Sequence, residues 1–109
     1  MIRCLTLVLI SLTLSSAEVV KIVSSLPRTG SANAQTASMI NGIRMALEEA
    51  KNSVVIGGQT YQVVYEDWDD ASPEAGKWDP AVEGANADKA IRDPDVLAYI
   101  GTYNSGAAK

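Results

Sequence analysis

Ser105 and Gly106 have the residue types that suit the binding of a carboxylate. A serine hydroxyl can donate a hydrogen bond to an anion, and a glycine beside it lets a ligand approach the backbone N–H groups closely. A plain helix N-cap followed by a turn can have the same sequence. Residue types alone therefore leave two interpretations of this pair, an anion-binding turn and a purely structural turn.

A cluster of four carboxylate residues could also bind a metal ion or act in catalysis: Glu66, Asp67, Asp69 and Asp70. Such a group can bind Ca²⁺, but the alternating Asp-x-Asp-x-Asp-Gly spacing of a calcium loop is missing. Glycosidases also use paired carboxylates, although nothing in the sequence predicts the raised pKa that an acid catalyst needs. We therefore interpret the four carboxylates as a solvated loop at a strand end, and we predict no metal site and no catalytic residue.

The residue inventory excludes several other functions. The 109 residues include no histidine, and the one cysteine is Cys4, so neither a Ser-His-Asp triad nor a His/Cys zinc site can be assembled from them. No glycine-rich nucleotide motif follows any apolar run. A net charge of −4 without a basic cluster argues against nucleic acid or an anionic membrane as a partner. We expect a protein that is not an enzyme and that needs no cofactor.

Residues 1–17 have the features of a secretory signal peptide. Arg3 gives a positively charged start, the run from Cys4 to Leu14 is uncharged, and Ser15-Ser16-Ala17 supplies small residues at a cleavage site. The run is shorter than the roughly 20 residues that span a bilayer. We predict cleavage after Ala17 and a periplasmic or extracellular location; the alternative is a buried N-terminal strand or helix. The exported part, 18–109, then has no cysteine and depends on a packed core.

Beyond the signal peptide, apolar periodicity predicts alternating strands and helices. The predicted strands are 18–24, 61–66 and 96–101, and the predicted helices are one that ends near 52 and one that spans 80–92. Asp79-Pro80 marks the start of the second helix, because it combines a capping carboxylate with a proline at the first helical position. The alternation predicts an α/β fold in which right-handed crossovers join parallel strands.

The first helix is predicted from a stripe of apolar residues at steps of four, four and three: Met39, Ile43, Leu47 and Ala50. Ser31 or Asn33 is the expected N-cap, since a short polar side chain can accept a hydrogen bond from a free N–H of the first turn.

Two connections are predicted from turn-forming residues. Gly57-Gly58 indicates a turn before the second strand. The segment 67–79 is predicted to be a long polar loop that Trp68 and Trp78 fasten to the domain surface, with ligand or partner stacking as the alternative for these two tryptophans.

Ligands of open parallel α/β sheets lie beyond the carboxyl ends of the strands. Two segments occupy such positions here, 26–36 after the first strand and 103–106 after the third. Both are rich in small polar residues, so each is a candidate position for the binding of a small solute.

Four sequence blocks occur in a fixed order: 22–30 (IVSSLPRTG), 41–49 (NGIRMALEE), 64–67 (VYED) and 99–106 (YIGTYNSG). Together they resemble successive blocks of the periplasmic binding proteins for leucine, isoleucine and valine, the type I substrate-binding proteins of ABC transporters. The resemblance covers about 19–109. It implies that 18–109 is the first βαβαβ part of lobe 1, a three-layer parallel-sheet lobe, and that the second lobe lies beyond Lys109.

The resemblance also implies a function and a site. Two lobes would close over a branched-chain amino acid, or a related small amino acid or amide, and deliver it to a membrane permease. Ser105 would hold the α-carboxylate, Tyr103, Asn104 and Gly106 would line the pocket, and Gln35 occupies a ligand-facing position that is often aromatic in the family. The alternatives are a ligand-sensing receptor domain of the same fold and a secreted α/β enzyme whose catalytic residues lie outside these 109.

Overall fold

The computed structural model describes residues 17–109, so the prediction of a signal peptide falls almost wholly outside the described residues. In chain order the elements are β1 (Glu18–Leu26), a 3₁₀ turn (Gly30–Ala32), α1 (Asn33–Glu49), β2 (Ser53–Ile56), β3 (Gln59–Asp69), β4 (Ala71–Ser72), β5 (Lys77–Trp78), α2 (Pro80–Arg92) and β6 (Val96–Ile100).

β1 is the central parallel strand of a four-stranded sheet with the order β2-β3-β1-β6. It pairs in parallel with β3 along its whole length, from Glu18 opposite Tyr61 to Leu26 opposite Asp69, and in parallel with β6 on its other side. The predicted α/β fold with parallel strands is therefore confirmed. A parallel strand whose two faces are both covered by helices is favoured to be apolar, which fits the mostly β-branched first half of β1.

The two helices lie on opposite faces of the sheet, as side-chain contacts of adjacent β1 residues show. The Ser24 hydroxyl lies 2.6 Å from the Tyr65 hydroxyl, and the Arg44 guanidinium of α1 lies 6.0 Å from the centre of the Tyr65 ring. The Ser25 hydroxyl instead donates a hydrogen bond to Glu83 of α2. Because successive strand residues point to opposite faces, α1 and α2 cover different sides.

The buried stripe of α1 is rotated from the predicted one. Thr36 and Ile40 are fully buried, whereas Met39 is 40 % exposed and Ala50 is also exposed. The Thr36 hydroxyl donates to the Pro27 carbonyl at 2.7 Å, so a polar residue can take a core position with its hydrogen bond satisfied. The prediction is right for Ile43 and Leu47, which are half-buried, and wrong at the two ends of the stripe, because the apolar pattern alone could not identify the buried Thr36.

The predicted N-cap of α1 was also wrong. The helix follows directly from the 3₁₀ turn, Ala32 occupies the cap position, and no side chain of residues 17–109 caps the first turn. Ser31 lies within the 3₁₀ turn and Asn33 is the first helical residue. The preceding turn supplies a continuous backbone path into the helix, which replaces the expected side-chain cap. At α2, by contrast, the predicted cap is confirmed, since the Asp79 carboxylate accepts from the Ala81 N–H at 2.9 Å.

The segment 53–58 contains a strand that the sequence did not predict. β2 pairs antiparallel with the start of β3, with Ile56 opposite Gln59, and Gly57 and Gly58 form the two-residue turn between them. Both glycines have positive φ values, 57° and 79°, as a tight hairpin turn requires. The predicted turn is confirmed, and the apolar residues before it form an edge strand.

The predicted loop 67–79 is largely ordered in strands. β3 continues to Asp69, and β4 and β5 then form a short antiparallel hairpin, with Ala71 opposite Trp78. We call residues 71–78 the β4–β5 hairpin. The Trp68 ring packs under the Lys89 ammonium of α2 at 3.9 Å, and its N–H donates to Glu66 at 2.9 Å. The prediction of a loop was wrong because two two-residue strands are too short to give a periodic signal.

β6 forms one edge of the sheet, and two of its apolar side chains are exposed, Leu97 by 55 % and Ile100 by 37 %. Between residues 17 and 109, neither helix has the length and apolar character needed to cross a membrane.

Candidate functional site

The carboxyl ends of β1 and β6 form the natural ligand position of this sheet. The connection from β1 runs to β3 on one side of β1, and the connection from β3 returns over β1 to β6 on the other side. Ligands of open α/β sheets bind where strand order reverses in this way. The predicted segments 26–36 and 103–106 therefore leave adjacent parallel strands at one edge, which we call the carboxyl edge.

The turn after β6 carries four of the five predicted site residues: Tyr103, Asn104, Ser105 and Gly106. The Asn104 carbonyl organises this turn, because it accepts a hydrogen bond from the Thr102 hydroxyl at 2.9 Å and another from the Ala107 N–H at 3.0 Å. Ser105 is exposed at the tip of the turn, and Tyr103 is 42 % exposed. The side-chain oxygen of Asn104 is buried and, within the described part of the chain, has no hydrogen-bond partner.

The β4–β5 hairpin packs against both loops of the carboxyl edge. A side chain at Gly106 would collide with the Trp78 ring, and a side chain at Gly30 would collide with the Gly76 backbone. The Ser31 N–H also donates to the Gly76 carbonyl at 3.2 Å. The expected role of Trp78, to fasten the long connection to the domain, is confirmed, and the surface that Trp78 contacts is the turn that contains Ser105.

Gln35, the fifth predicted site residue, is separate from the other four. It is exposed in the first turn of α1, and no hydrogen bond joins it to the 103–106 turn among residues 17–109. It shares the carboxyl edge with them only through the parallel arrangement of β1 and β6.

The interpretation of the four carboxylates as a solvated loop was wrong, because they lie in or directly after β3 and are partly or fully buried. Asp67 pairs with the Arg28 guanidinium at 2.9 Å. Asp69 accepts from the Arg28 N–H at 2.8 Å and from the Thr29 hydroxyl at 2.7 Å. Burial would raise the pKa of Asp69, but hydrogen bonds from Thr29 and from backbone N–H groups hold it below its ordinary value. These two carboxylates anchor the loop after β1.

Asp70 is fully buried and, among the described residues, neither of its carboxylate oxygens has a hydrogen-bond partner. Burial, followed by repulsion from Glu83 and Asp69, raises the pKa of Asp70 from 3.8 to about 6. Across residues 17–109, no three acidic or cysteine side chains are grouped so that they could hold a metal ion.

Glu83, in the first turn of α2, is 4 % exposed and accepts hydrogen bonds from two strands. The Ser25 hydroxyl of β1 donates to one carboxylate oxygen, and the Tyr99 hydroxyl of β6 donates to the other at 2.6 Å. Asn86 extends this network, because its side-chain amide donates to the Ser25 hydroxyl and to the Asp69 carbonyl, both at 2.9 Å. Burial and the hydrogen bond to Glu83 raise the pKa of Tyr99 above its ordinary value.

A cleft of about 330 Å³ opens between α2 and the segment after β6. Its polar lining consists of Glu83, Tyr99, Thr102 and Lys109, and small residues provide most of the remaining wall. The cleft therefore combines a buried carboxylate with space for a small molecule at the carboxyl edge.

Comparison with known proteins gives no relatives. No protein-family model, curated protein or solved structure matches the chain.

The residues that the sequence did not predict share one feature: they are polar side chains at core positions. Ser25, Glu83 and Asp70 belong to this class. A partial signal existed for Glu83, since an acidic residue in the first turn of a helix suits the helix dipole and lies four residues after the Asp79 cap. The contacts among them join residues 58 positions apart, which no local pattern reveals.

Proposed function

We propose that this chain is part of an extracytoplasmic solute-binding protein of an ABC importer, and that it is not an enzyme. The ligand would be a branched-chain amino acid or a related small amino acid or amide. In this proposal residues 18–109 belong to lobe 1 of a type I periplasmic binding protein, and a second lobe closes over the solute.

The observation that carries the proposal is the exposed Ser105 at the tip of the turn after β6. This turn lies beside the point where strand order reverses, and its backbone is held by the Thr102 and Ala107 hydrogen bonds to Asn104. A serine in such a fixed turn can offer its hydroxyl and its N–H to a carboxylate without rearrangement. Pre-organised donors of this kind lower the entropic cost of binding.

Gly106 and Asn104 add support. The Trp78 ring occupies the space in which a larger residue at 106 would need to lie, so only glycine fits this position of the turn while Trp78 stays in place. The buried side-chain oxygen of Asn104, which has no partner among residues 17–109, is a hydrogen-bond acceptor that a ligand N–H could satisfy, and an unsatisfied buried acceptor costs about 1–3 kcal/mol.

The test is a titration of the ¹⁵N-labelled chain with L-leucine, followed by NMR chemical shifts, because this measurement detects weak binding. Leucine should shift the amide signals of Ser105 and Gly106. Ser105→Ala should weaken binding at least tenfold, as expected for the loss of a hydrogen bond to a charged group.

Ser38→Ala is the matched control, since Ser38 is exposed on α1 and lies outside the segments 26–36 and 103–106. It should leave the affinity unchanged. Leucine-induced shifts that avoid the 103–106 turn, or equal affinities for the parent chain and Ser105→Ala, would remove Ser105 from the site and with it the basis of the proposal.

A further inference from the structure

We propose that the β4–β5 hairpin is a pH-sensitive brace: it is closed over the carboxyl edge at acidic pH and is released locally as the solution becomes neutral, with Asp70 as the titrating group. This inference concerns the stability of the carboxyl edge, and it does not depend on which ligand, if any, binds there.

The first observation is the position of Asp70 at the base of the hairpin. Asp70 and Asp79 flank residues 71–78, and the Asp79 N–H donates to the Asp70 carbonyl at 2.8 Å. The Asp70 N–H in turn donates to the Leu26 carbonyl of β1 at 3.1 Å. The hairpin therefore joins the sheet at Asp70, and a charge that appears on the Asp70 side chain acts directly on this junction.

The second observation is that the surroundings of the Asp70 side chain suit an uncharged carboxyl. The residue is fully buried, and neither carboxylate oxygen has a hydrogen-bond partner among residues 17–109. A carboxylate that loses its hydration without gaining donors or a cation is strongly destabilised, whereas a neutral carboxyl loses much less.

The third observation is the charge of the groups around Asp70. Glu83 of α2 and Asp69 of β3 both repel a negative charge there, and Asp79 adds a further carboxylate at the hairpin base. Tyr99 of β6 is the remaining titratable neighbour, and it stays neutral because its pKa is raised above the ordinary value. Within the described part of the chain, no lysine or arginine forms an ion pair with Asp70. No group identified around Asp70 therefore compensates its negative charge.

The fourth observation is what the hairpin holds in place. The Gly76 backbone lies against Gly30 and accepts from the Ser31 N–H, while the Trp78 ring lies against Gly106. The hairpin consists of two strands of two residues each, outside the four-stranded sheet. Such a short element can open locally while the main sheet stays folded. Its opening would free the loop after β1 and the turn after β6 together.

The direction of the pH effect follows from these surroundings. The pKa of Asp70 is about 6 in the folded chain, above the ordinary value of 3.8. The stabilisation of the closed hairpin is therefore complete below about pH 4 and is lost as pH rises through 6. Because opening exposes Asp70 to water, the equilibrium constant for opening should rise by up to about a hundredfold, the limit set by a difference of about two pKa units.

The test is backbone amide hydrogen exchange of the ¹⁵N-labelled chain, measured by NMR at pH 4.5 and pH 7.5 and corrected for the intrinsic effect of pH on exchange. The reporters are the Gly76 and Asp79 N–H groups, which are hydrogen-bonded within the hairpin and at its base. The reference is the Val63 N–H, which donates to the Asn52 carbonyl near the start of β3.

The opening constants of both reporters should rise at least tenfold between the two pH values. Both reporters should also exchange faster than Val63, and low concentrations of urea should not accelerate them, because a local opening exposes little surface. Asp70→Asn should abolish the rise. Glu74→Gln, which removes an exposed carboxyl from the same hairpin, is the matched control and should preserve it.

Opening constants that are equal at the two pH values, or that rise as much in Asp70→Asn, would overturn the proposal. It would also be overturned if the reporters and Val63 shared one opening constant and one urea dependence, because exchange would then require unfolding of the whole fold. If Asp70→Asn does not fold, the comparison of the reporters with Val63 on the unaltered chain still decides.

Discussion

The buried Asp70 carboxyl should make the chain less stable as pH rises through 6. Its pKa is raised from 3.8 to about 6, a difference of about two units, and each unit corresponds to about 1.36 kcal/mol. For a carboxyl whose pKa is higher in the folded state, the stabilising contribution is complete below the unfolded value of about 3.9 and is lost as pH rises through the folded value. The expected loss between pH 4 and pH 7.5 is therefore about 3 kcal/mol, an upper limit because local relaxation reduces it.

Asp70→Asn isolates this contribution, since an amide has a similar shape and does not ionise in this range. Urea unfolding, followed by tryptophan fluorescence, gives the free energy of unfolding of both proteins. The value for the variant, relative to that for the parent chain, should rise by up to about 3 kcal/mol between pH 4 and pH 7.5. Asp95→Asn, which removes an exposed carboxyl, is the matched control for the loss of one negative charge. If the difference between Asp70→Asn and the parent chain were constant from pH 4 to pH 7.5, the burial argument for Asp70 would be refuted.

Two further changes test local features. Gly106→Ala should lower the free energy of unfolding by about 1–3 kcal/mol in urea titrations, because its Cβ collides with the Trp78 ring. Gly84→Ala, in open space on α2, should instead raise the free energy of unfolding by about 0.5–1 kcal/mol. Equal effects of the two substitutions would contradict the close packing at Gly106. Asp79→Ala should lower the melting temperature more than Asp79→Asn does, because asparagine still caps α2 through its side-chain oxygen. Equal losses of melting temperature, measured by circular dichroism, would show that the cap hydrogen bond is unimportant.

The main elements could be predicted because their signals are local. The first half of β1 is mostly β-branched, as cover by helices on both faces of a parallel sheet favours. The start of α2 follows from Asp79-Pro80, whose cap geometry involves only residues two positions apart. The four residues of β2 are too few to show a strand periodicity. The two glycines after β2 nevertheless were a hairpin signal, because they separate two short β-prone runs.

The interior of the site could not be predicted in the same way. Asp70 has the composition of a loop residue, and its burial depends on how the β4–β5 hairpin folds back beside α2. The link between Ser25 and Glu83 forms only when β1 and α2 pack together. Sequence patterns report which face of an element is apolar, and they do not report which polar residues find partners inside.

The β4–β5 hairpin has a consequence for how binding at the carboxyl edge would respond to mutation. Because Gly76 contacts the loop after β1 and Trp78 contacts the turn after β6, one rigid piece spans both. A substitution in the hairpin would displace both segments of the proposed site at once, without itself contacting a solute. A new ligand specificity at the carboxyl edge would therefore evolve more easily through side-chain changes in the two loops than through changes in the β4–β5 hairpin that holds both loops.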